Sequence, residues 1–126
     1  MKLVDTSAWV HSLRPDGDIA VTARVRGLLE MGEAAWCAQI RLELWNGARG
    51  EHEKRVLREM QTGLPDLPID ASVWNQACDL ARQARDAGVT LPVSDILIAA
   101  CARHHAVDIE HSDTHFDTLA RFPSFT

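Results

Sequence analysis

Short apolar runs alternate with helical segments along the chain, and this alternation constrains the fold more than any other feature. The runs at residues 2–5, 34–38, 67–70 and 107–111 are typical of short strands. Strands separated by helices form parallel βαβ units, and right-handed crossovers place the helices on both faces of the sheet. The sequence therefore predicts an α/β fold with a parallel central sheet of four or five short strands.

The helical segments between these runs have clear boundaries. Apolar spacing and the Gly and Pro positions predict helices from residue 6 to before Pro15, over 19–31, from about 38 to 47–50, over 51–62 and over 71–87. Residues 96–102 are apolar nearly all round, which predicts a helix buried at the centre of the fold. A short last helix is predicted from Ser112 to Leu119.

Length and composition indicate one globular domain. The chain has 126 residues, of which 46% are hydrophobic and 25% are charged, so we expect a single domain over residues 1–126. No apolar run approaches the roughly 20 residues that cross a bilayer, and an acid at position 5 does not suit a signal peptide. We expect a cytoplasmic protein with no membrane partner. Three cysteines without CxxC spacing predict buried, reduced thiols.

The charge balance bears on the partners of the protein. Eighteen acidic residues against 13 basic ones give a net charge of −5, which argues against a generic nucleic-acid binder. The same acidic surplus is compatible with a nucleic-acid substrate if several of the acids hold divalent cations. The positions of the acids decide between a repelling surface and a metal site.

Three aspartates fall where a parallel sheet binds its ligands. Asp5 ends the first predicted strand, Asp113 follows the last one, and Asp95 opens the buried helix. The carboxyl ends of strands and the N-termini of the following helices share one edge of the sheet. Glu43 lies inside the third helix, beside its inner stripe, and is predicted to reach the same cleft.

Each acid also has a simpler interpretation. An aspartate at a helix start is favoured as a cap, and Glu43 suits an ion pair with Arg41 or Arg49. Capping alone does not explain several acids at one edge, and clustered carboxylates repel one another unless a cation neutralises them. The joint interpretation is a site for Mg²⁺, with Mn²⁺ as a substitute, and phosphodiester hydrolysis as its natural chemistry.

Four segments resemble the acidic motifs of PIN-domain ribonucleases, and more narrowly those of the VapC toxins of bacterial toxin–antitoxin pairs. The resemblance spans the whole chain, and its motifs are Asp5-Thr6-Ser7-Ala8, Arg41-Leu42-Glu43-Leu44, Ser94-Asp95-Ile96-Leu97-Ile98-Ala99-Ala100 and Ser112-Asp113-Thr114-His115-Phe116.

The resemblance implies both a site and a biology. The catalytic acids would be Asp5, Glu43, Asp95 and Asp113, of which the three aspartates bind metal, with Thr6 or Ser7 orienting a ligand or water. The activity would be that of a Mg²⁺-dependent endoribonuclease acting on tRNA or another structured RNA. The partners would be a second copy of the chain and a VapB-type antitoxin whose other end binds operator DNA.

The chain departs from this family pattern at two places. His115 stands where many relatives carry a further acid, which puts a fifth carboxylate and a strongly bound second metal in doubt. Asp108 and Glu110 replace more apolar residues in the last strand, which predicts an exposed face or a sheet edge.

Aromatic and imidazole side chains have competing interpretations. The crowding of four histidines suggests zinc, but without a third ligand at helical spacing we favour surface or rim residues: His104, His105, His111 and His115. The four tryptophans are predicted to pack in the core or a dimer interface: Trp9, Trp36, Trp45 and Trp74. An apolar groove for the antitoxin is predicted to include Leu28, Trp45, Val56 and Leu57.

Two other functions compete with the nuclease. A phosphohydrolase with Asp5 as covalent nucleophile normally needs a second Asp two residues on, where this chain has Ser7. A catalytically weak or inactive PIN-like protein-binding module is the other alternative, because the fifth acid is missing.

Overall fold

A computed structural model describes residues 1–123 of the chain. Within that range three strands and seven helices follow one another along the chain: β1 (Lys2–Val4), α1 (Thr6–Leu13), α2 (Ile19–Glu30), β2 (Ala34–Ala35), α3 (Ala38–Asn46), α4 (Gly50–Gly63), α5 (Ala71–Asp86), α6 (Val93–His104), β3 (Asp108–Glu110) and α7 (Thr114–Leu119).

The sheet is parallel, and β1 lies at its centre. The order is β2-β1-β3, with Leu3 opposite Ala35 on one side and opposite Ile109 on the other. Leu3 and Val4 are fully buried, as a strand flanked on both sides requires. The parallel α/β architecture is confirmed.

The expected strand count of four or five is wrong, because the sheet of the described residues has three strands. Residues 67–70 form no strand. The preceding residue, Asp66, forms an isolated bridge with Trp36 next to β2, and Leu67 N donates to Trp36 O at 2.8 Å. Pro65 and Pro68 flank the bridge and carry no backbone N–H. A strand with two such gaps cannot extend its hydrogen-bond ladder.

Helix α6 occupies the centre of the core, as its all-apolar surface predicts. Every residue from Asp95 to Ala102 is buried. Helices α5, α3 and α7 and strand β3 all contact it. Because α6 is enclosed on most sides, the one acid at its start is held in a fixed position.

Strand β3 is an edge strand, as its two acids indicate, but only one of those acids is exposed. Glu110 is buried, and its carboxylate lies 3.1 Å from Arg24 Nε and 3.9 Å from Lys2 Nζ. The ion pairs explain why an acid is tolerated there.

The tryptophans and cysteines divide between core and surface. Trp9 and Trp36 are almost completely buried, whereas Trp74 is 52% exposed and so lies outside the core. Cys37 and Cys101 are buried free thiols, but Cys78 is exposed, contrary to expectation.

None of the helices in the described part of the chain is long and apolar enough to cross a membrane.

Candidate metal and catalytic site

Asp5 stands at the junction of β1 and α1 and serves two purposes. It is the N-cap of α1, with its Oδ2 accepting hydrogen bonds from Ser7 N (3.0 Å) and Ser7 Oγ (2.7 Å). Its Oδ1 is buried and has no hydrogen-bond partner among residues 1–123. A buried carboxylate oxygen without a donor is costly unless something absent from the chain binds it.

Ser7 ties this junction to the loop after β3. Its hydroxyl donates to Asp5 and accepts a 2.9 Å hydrogen bond from Ser112 N. Asp5 N also donates to Glu110 O at 2.9 Å. The Asp5 carboxylate is thus fixed relative to the segment that carries Asp113.

Glu43 projects from α3 toward the start of α1. Its Oε1 accepts a 2.8 Å hydrogen bond from Thr6 Oγ1, and its Oε2 accepts one of 2.9 Å from Gln39 Nε2. Arg41 pairs with Asp66 instead, and the described residues form no ion pair with Glu43, whose two oxygens accept from Thr6 and Gln39. Glu43 is therefore held at the cleft and not in a solvated pair.

Asp95, Asp113 and His115 form the most compact group. His115 Nδ1 lies 2.8 Å from Asp95 Oδ2 and 3.1 Å from Asp113 Oδ1. One ligand atom from each of the three residues lies within 4.8 Å of the others, a spacing that suits a common metal ion. Asp113 is also the N-cap of α7, accepting from His115 N at 2.9 Å.

The electrostatics of the site favour a cation. Burial raises the pKa of the Asp5 carboxyl, against the two hydrogen bonds from Ser7, and repulsion from Glu43 and Asp95 adds to the rise. Burial also raises the pKa of Asp95, with repulsion from Asp113 and Glu43 in the same direction and the His115 hydrogen bond against it. The hydrogen bond to Asp95 raises the pKa of His115. A positive charge at this cleft would relieve the repulsion.

The capping interpretation and the cluster interpretation hold together. Asp5 and Asp113 are helix N-caps, whereas Asp95 lies inside the first turn of α6. Asp113 belongs to the compact group with Asp95 and His115, and Asp5 lies outside that group but close enough to Glu43 and Asp95 for their charges to act on it. The local sequence thus places two acids by capping, and the sheet topology brings them to one edge.

Two residues of the site were not among the predicted set. His115 was predicted to be a surface or rim residue; it is partly exposed at the edge that carries the acids, where it also bridges two carboxylates. Its spacing of two from Asp113 was the available signal for that contact. Gln39 lies one turn before Glu43, and only that i, i+4 spacing pointed to it. The other histidines do not form a metal group within the described residues, since His104 lies near Asp70, His105 near Pro68 O and His111 near Asp117.

Comparison with known proteins agrees with this fold. The family model described as PIN domain matches residues 2–122. Ribonuclease VapC11 of Mycobacterium tuberculosis (strain ATCC 25618 / H37Rv) is 40% identical over 125 residues, which cover 96% of this chain and 92% of that protein. Ribonuclease VapC18 of the same strain is 31% identical over 121 residues, covering 93% and 85%. The chain therefore belongs to the PIN domain family, among the VapC ribonucleases.

Solved structures share the fold at lower identity. The crystal structure of FitAcB from Neisseria gonorrhoeae superposes with a TM-score of 0.72 at 22% identity, covering 100% of this chain and 97% of that chain. VapBC2 from Rickettsia felis, bound to a DNA fragment from its promoter, gives a TM-score of 0.72 at 13% identity, covering 97% and 92%. At these identities the likeness establishes the fold alone.

Proposed function

We propose that the protein is a cytoplasmic, divalent-cation-dependent endoribonuclease and the toxin of a toxin–antitoxin pair, built as one domain over residues 1–126. The carrying observation is the buried Asp5 Oδ1, which has no hydrogen-bond partner among residues 1–123 and lies beside carboxylates that repel it. Membership of the VapC ribonucleases supplies the substrate class, RNA.

The donor set fits a hard or borderline cation. Asp5, Asp95 and Asp113 would hold it, since carboxylate oxygens are the ligands that Mg²⁺ and Mn²⁺ prefer. When bound, such a cation lowers the pKa of a water molecule and neutralises the charge that develops on the phosphate. We propose Mg²⁺ as the ion in the cell, with Mn²⁺ able to replace it.

Residues of the chain position the acids and accept the proton of the attacking water. Ser7 fixes the rotamer of Asp5 through two hydrogen bonds, and Thr6 fixes that of Glu43. Glu43 is the proposed general base, accepting the proton of the water that attacks the phosphodiester in line. Because water and not the ribose 2′-hydroxyl is the nucleophile, the products carry a 5′-phosphate and a 3′-hydroxyl.

The nuclease is tested on the full chain with a structured RNA such as bulk tRNA. We expect cleavage with Mg²⁺ or Mn²⁺, none with EDTA, and none from Asp95→Ala. Asp70→Asn is the matched control, because it alters an N-cap at the start of α5 that belongs to no acidic group. Ends carrying 2′,3′-cyclic phosphate would contradict the mechanism, and metal-independent cleavage would contradict the site.

The physiological target is tested in cells. Sequencing of RNA 5′ ends after brief induction should show new ends at defined positions in tRNA or another structured RNA. Asp95→Ala should give none of them. If the wild type shows no metal-dependent cleavage and Asp5→Ala still inhibits growth, the protein acts as a non-catalytic binding module instead.

We also propose a VapB-type antitoxin, a homodimer and an operator-bound complex as the partners. An apolar cavity of about 160 Å³ between α1, α2 and α4 supports an antitoxin contact and is lined in part by Trp9, Leu13, Leu29, Val56 and Met60. Of the residues predicted for this groove, Val56 lines it, Leu57 is fully buried and Leu28 and Trp45 are half-buried outside its lining. Co-expression of the antitoxin should relieve the growth inhibition caused by the Met60→Asp variant less well than that caused by the wild type.

A further inference from the structure

The compact group of the site contains a nitrogen donor. Asp95, Asp113 and His115 each bring one ligand atom within 4.8 Å of the other two, so the group offers two carboxylates and one imidazole. A purely acidic site would offer oxygen alone. The difference matters because Mg²⁺ takes oxygen ligands, whereas imidazole suits transition-metal cations.

A separate observation favours a cation beside this group. Asp5 is 3% exposed, and its Oδ1 has no partner among residues 1–123 although its Oδ2 has two. Asp5 lies close enough to Glu43 and Asp95 for their charges to act on it. An unpaired, buried carboxylate oxygen next to further acids is an arrangement that a bound cation completes.

The backbone at the start of α7 and two carboxylates position the imidazole. His115 N donates to Asp113 Oδ1 at 2.9 Å, and the next residue, Phe116, is buried in the core. The ring is held between two carboxylates, with Nδ1 2.8 Å from one and 3.1 Å from the other. Its location therefore follows from the backbone position at the start of α7 together with the two carboxylates that the ring contacts.

We propose that His115 is a metal ligand and that its nitrogen gives the centre a higher affinity for Mn²⁺ than for Mg²⁺ when the two ions are at equal concentration, so that Mn²⁺ readily replaces Mg²⁺. The inference rests on the proposed metal-dependent function and refines it. Mn²⁺ binds oxygen and imidazole together, while Mg²⁺ demands near-ideal octahedral oxygen ligation and dehydrates reluctantly. With an aspartate at position 115 the group would be all-oxygen, and the preference for Mn²⁺ would fall.

Pulsed EPR of the full chain loaded with Mn²⁺ alone tests the ligand directly. We expect a ¹⁴N coupling from a coordinated imidazole in the wild type and its loss in both His115→Asp and His115→Gln. Competition of Mg²⁺ against Mn²⁺, followed by the EPR signal of free Mn²⁺, should show the selectivity ratio falling about tenfold or more in His115→Asp.

His111→Asn is the matched control. His111 is the neighbouring imidazole, with its Nδ1 3.3 Å from Asp113 N, and it lies outside the metal group. This variant should keep both the ¹⁴N coupling and the Mn²⁺ preference. Loss of the coupling in His111→Asn, or its absence from the Mn²⁺-loaded wild type, overturns the assignment to His115.

The outcomes separate this inference from the proposed function. Mn²⁺ bound without nitrogen coupling, together with RNA cleavage, refutes the role of His115 and leaves the nuclease standing. Nitrogen coupling without RNA cleavage under any metal supports the ligand and refutes the nuclease. A wild type that binds neither metal refutes both.

Discussion

Replacing Asp5 by asparagine should stabilise the metal-free protein. Asparagine caps a helix as well as aspartate does, and its Oδ1 can accept both hydrogen bonds from Ser7. The substitution removes a charge that is 3% exposed and repelled by Glu43 and Asp95. The amide nitrogen takes the place of the unpaired Oδ1, beside carboxylates that can accept from it.

The expected gain is about 0.5–2 kcal/mol in the free energy of unfolding, the range of a typical stabilising substitution at a strained functional site. For a chain of 126 residues, 1 kcal/mol corresponds to a rise in Tm of about 3–5 °C. Bound metal should make the wild type more stable than the variant. At a free Mn²⁺ concentration of 100 times Kd the wild type gains about 2.7 kcal/mol, and the variant, with one donor converted to an amide, gains less.

Urea unfolding followed by far-UV circular dichroism, with EDTA and again with saturating Mn²⁺, measures both effects. Asp70→Asn is the control, since Asp70 caps α5 by the same type of bond, to Val73 N, away from the acidic group. It should change stability by less than about 0.5 kcal/mol and leave the metal effect intact. An Asp5→Asn protein that is less stable than the wild type in EDTA refutes the argument that Asp5 is an uncompensated buried charge.

Three further results are expected. The stability advantage of Asp5→Asn should be largest at neutral pH, where the wild-type carboxyl is charged. It should vanish as the pH falls through the raised pKa of Asp5 in the folded protein to the ordinary aspartate pKa of about 4 in the unfolded chain, because the carboxyl then becomes neutral. A stability difference that stays constant in urea titrations across this pH range would contradict the assignment. Thr6→Val removes the hydroxyl that donates to Glu43 and should lower kcat/KM about tenfold with unchanged far-UV circular dichroism, and a wild-type rate would show that the bond does not position Glu43. Leu57→Ala, at a fully buried position of α4, should cost about 2–5 kcal/mol in urea unfolding and leave the Mn²⁺ affinity of the folded protein unchanged.

The strands show where sequence patterns are too local. The runs at 2–5 and 107–111 contain β1 and β3, and the run at 34–38 contains the two-residue β2. The run at 67–70 has the same apolar character but forms no strand. Its difference lies in two missing backbone donors, at Pro65 and Pro68, and a strand exists only if a partner can complete the ladder.

For the acids of the site, sequence position and topology together predicted the grouping. Asp5, Asp95 and Asp113 occupy strand ends and a helix start, and a parallel topology places such positions at one edge whatever the side-chain packing. Sequence order and topology were therefore sufficient to group them. Glu43 required one more fact, the rotation of α3 that turns its side chain toward Thr6.

By itself the sequence determined the alternation of strands and helices, the capping aspartates and the buried helix α6, because each depends on neighbours within a few residues or on hydrophobic periodicity. Only the tertiary structure decided which side chains meet. Thr6 forms a hydrogen bond with Glu43, 37 residues away in sequence. Asp95 pairs with His115 across 20 residues, and Ser112 pairs with Ser7 across 105. Such pairings depend on ångström-scale placement of separate elements by the packed core, which no local pattern encodes. They turn a set of capping acids into a site with the donors for a metal ion.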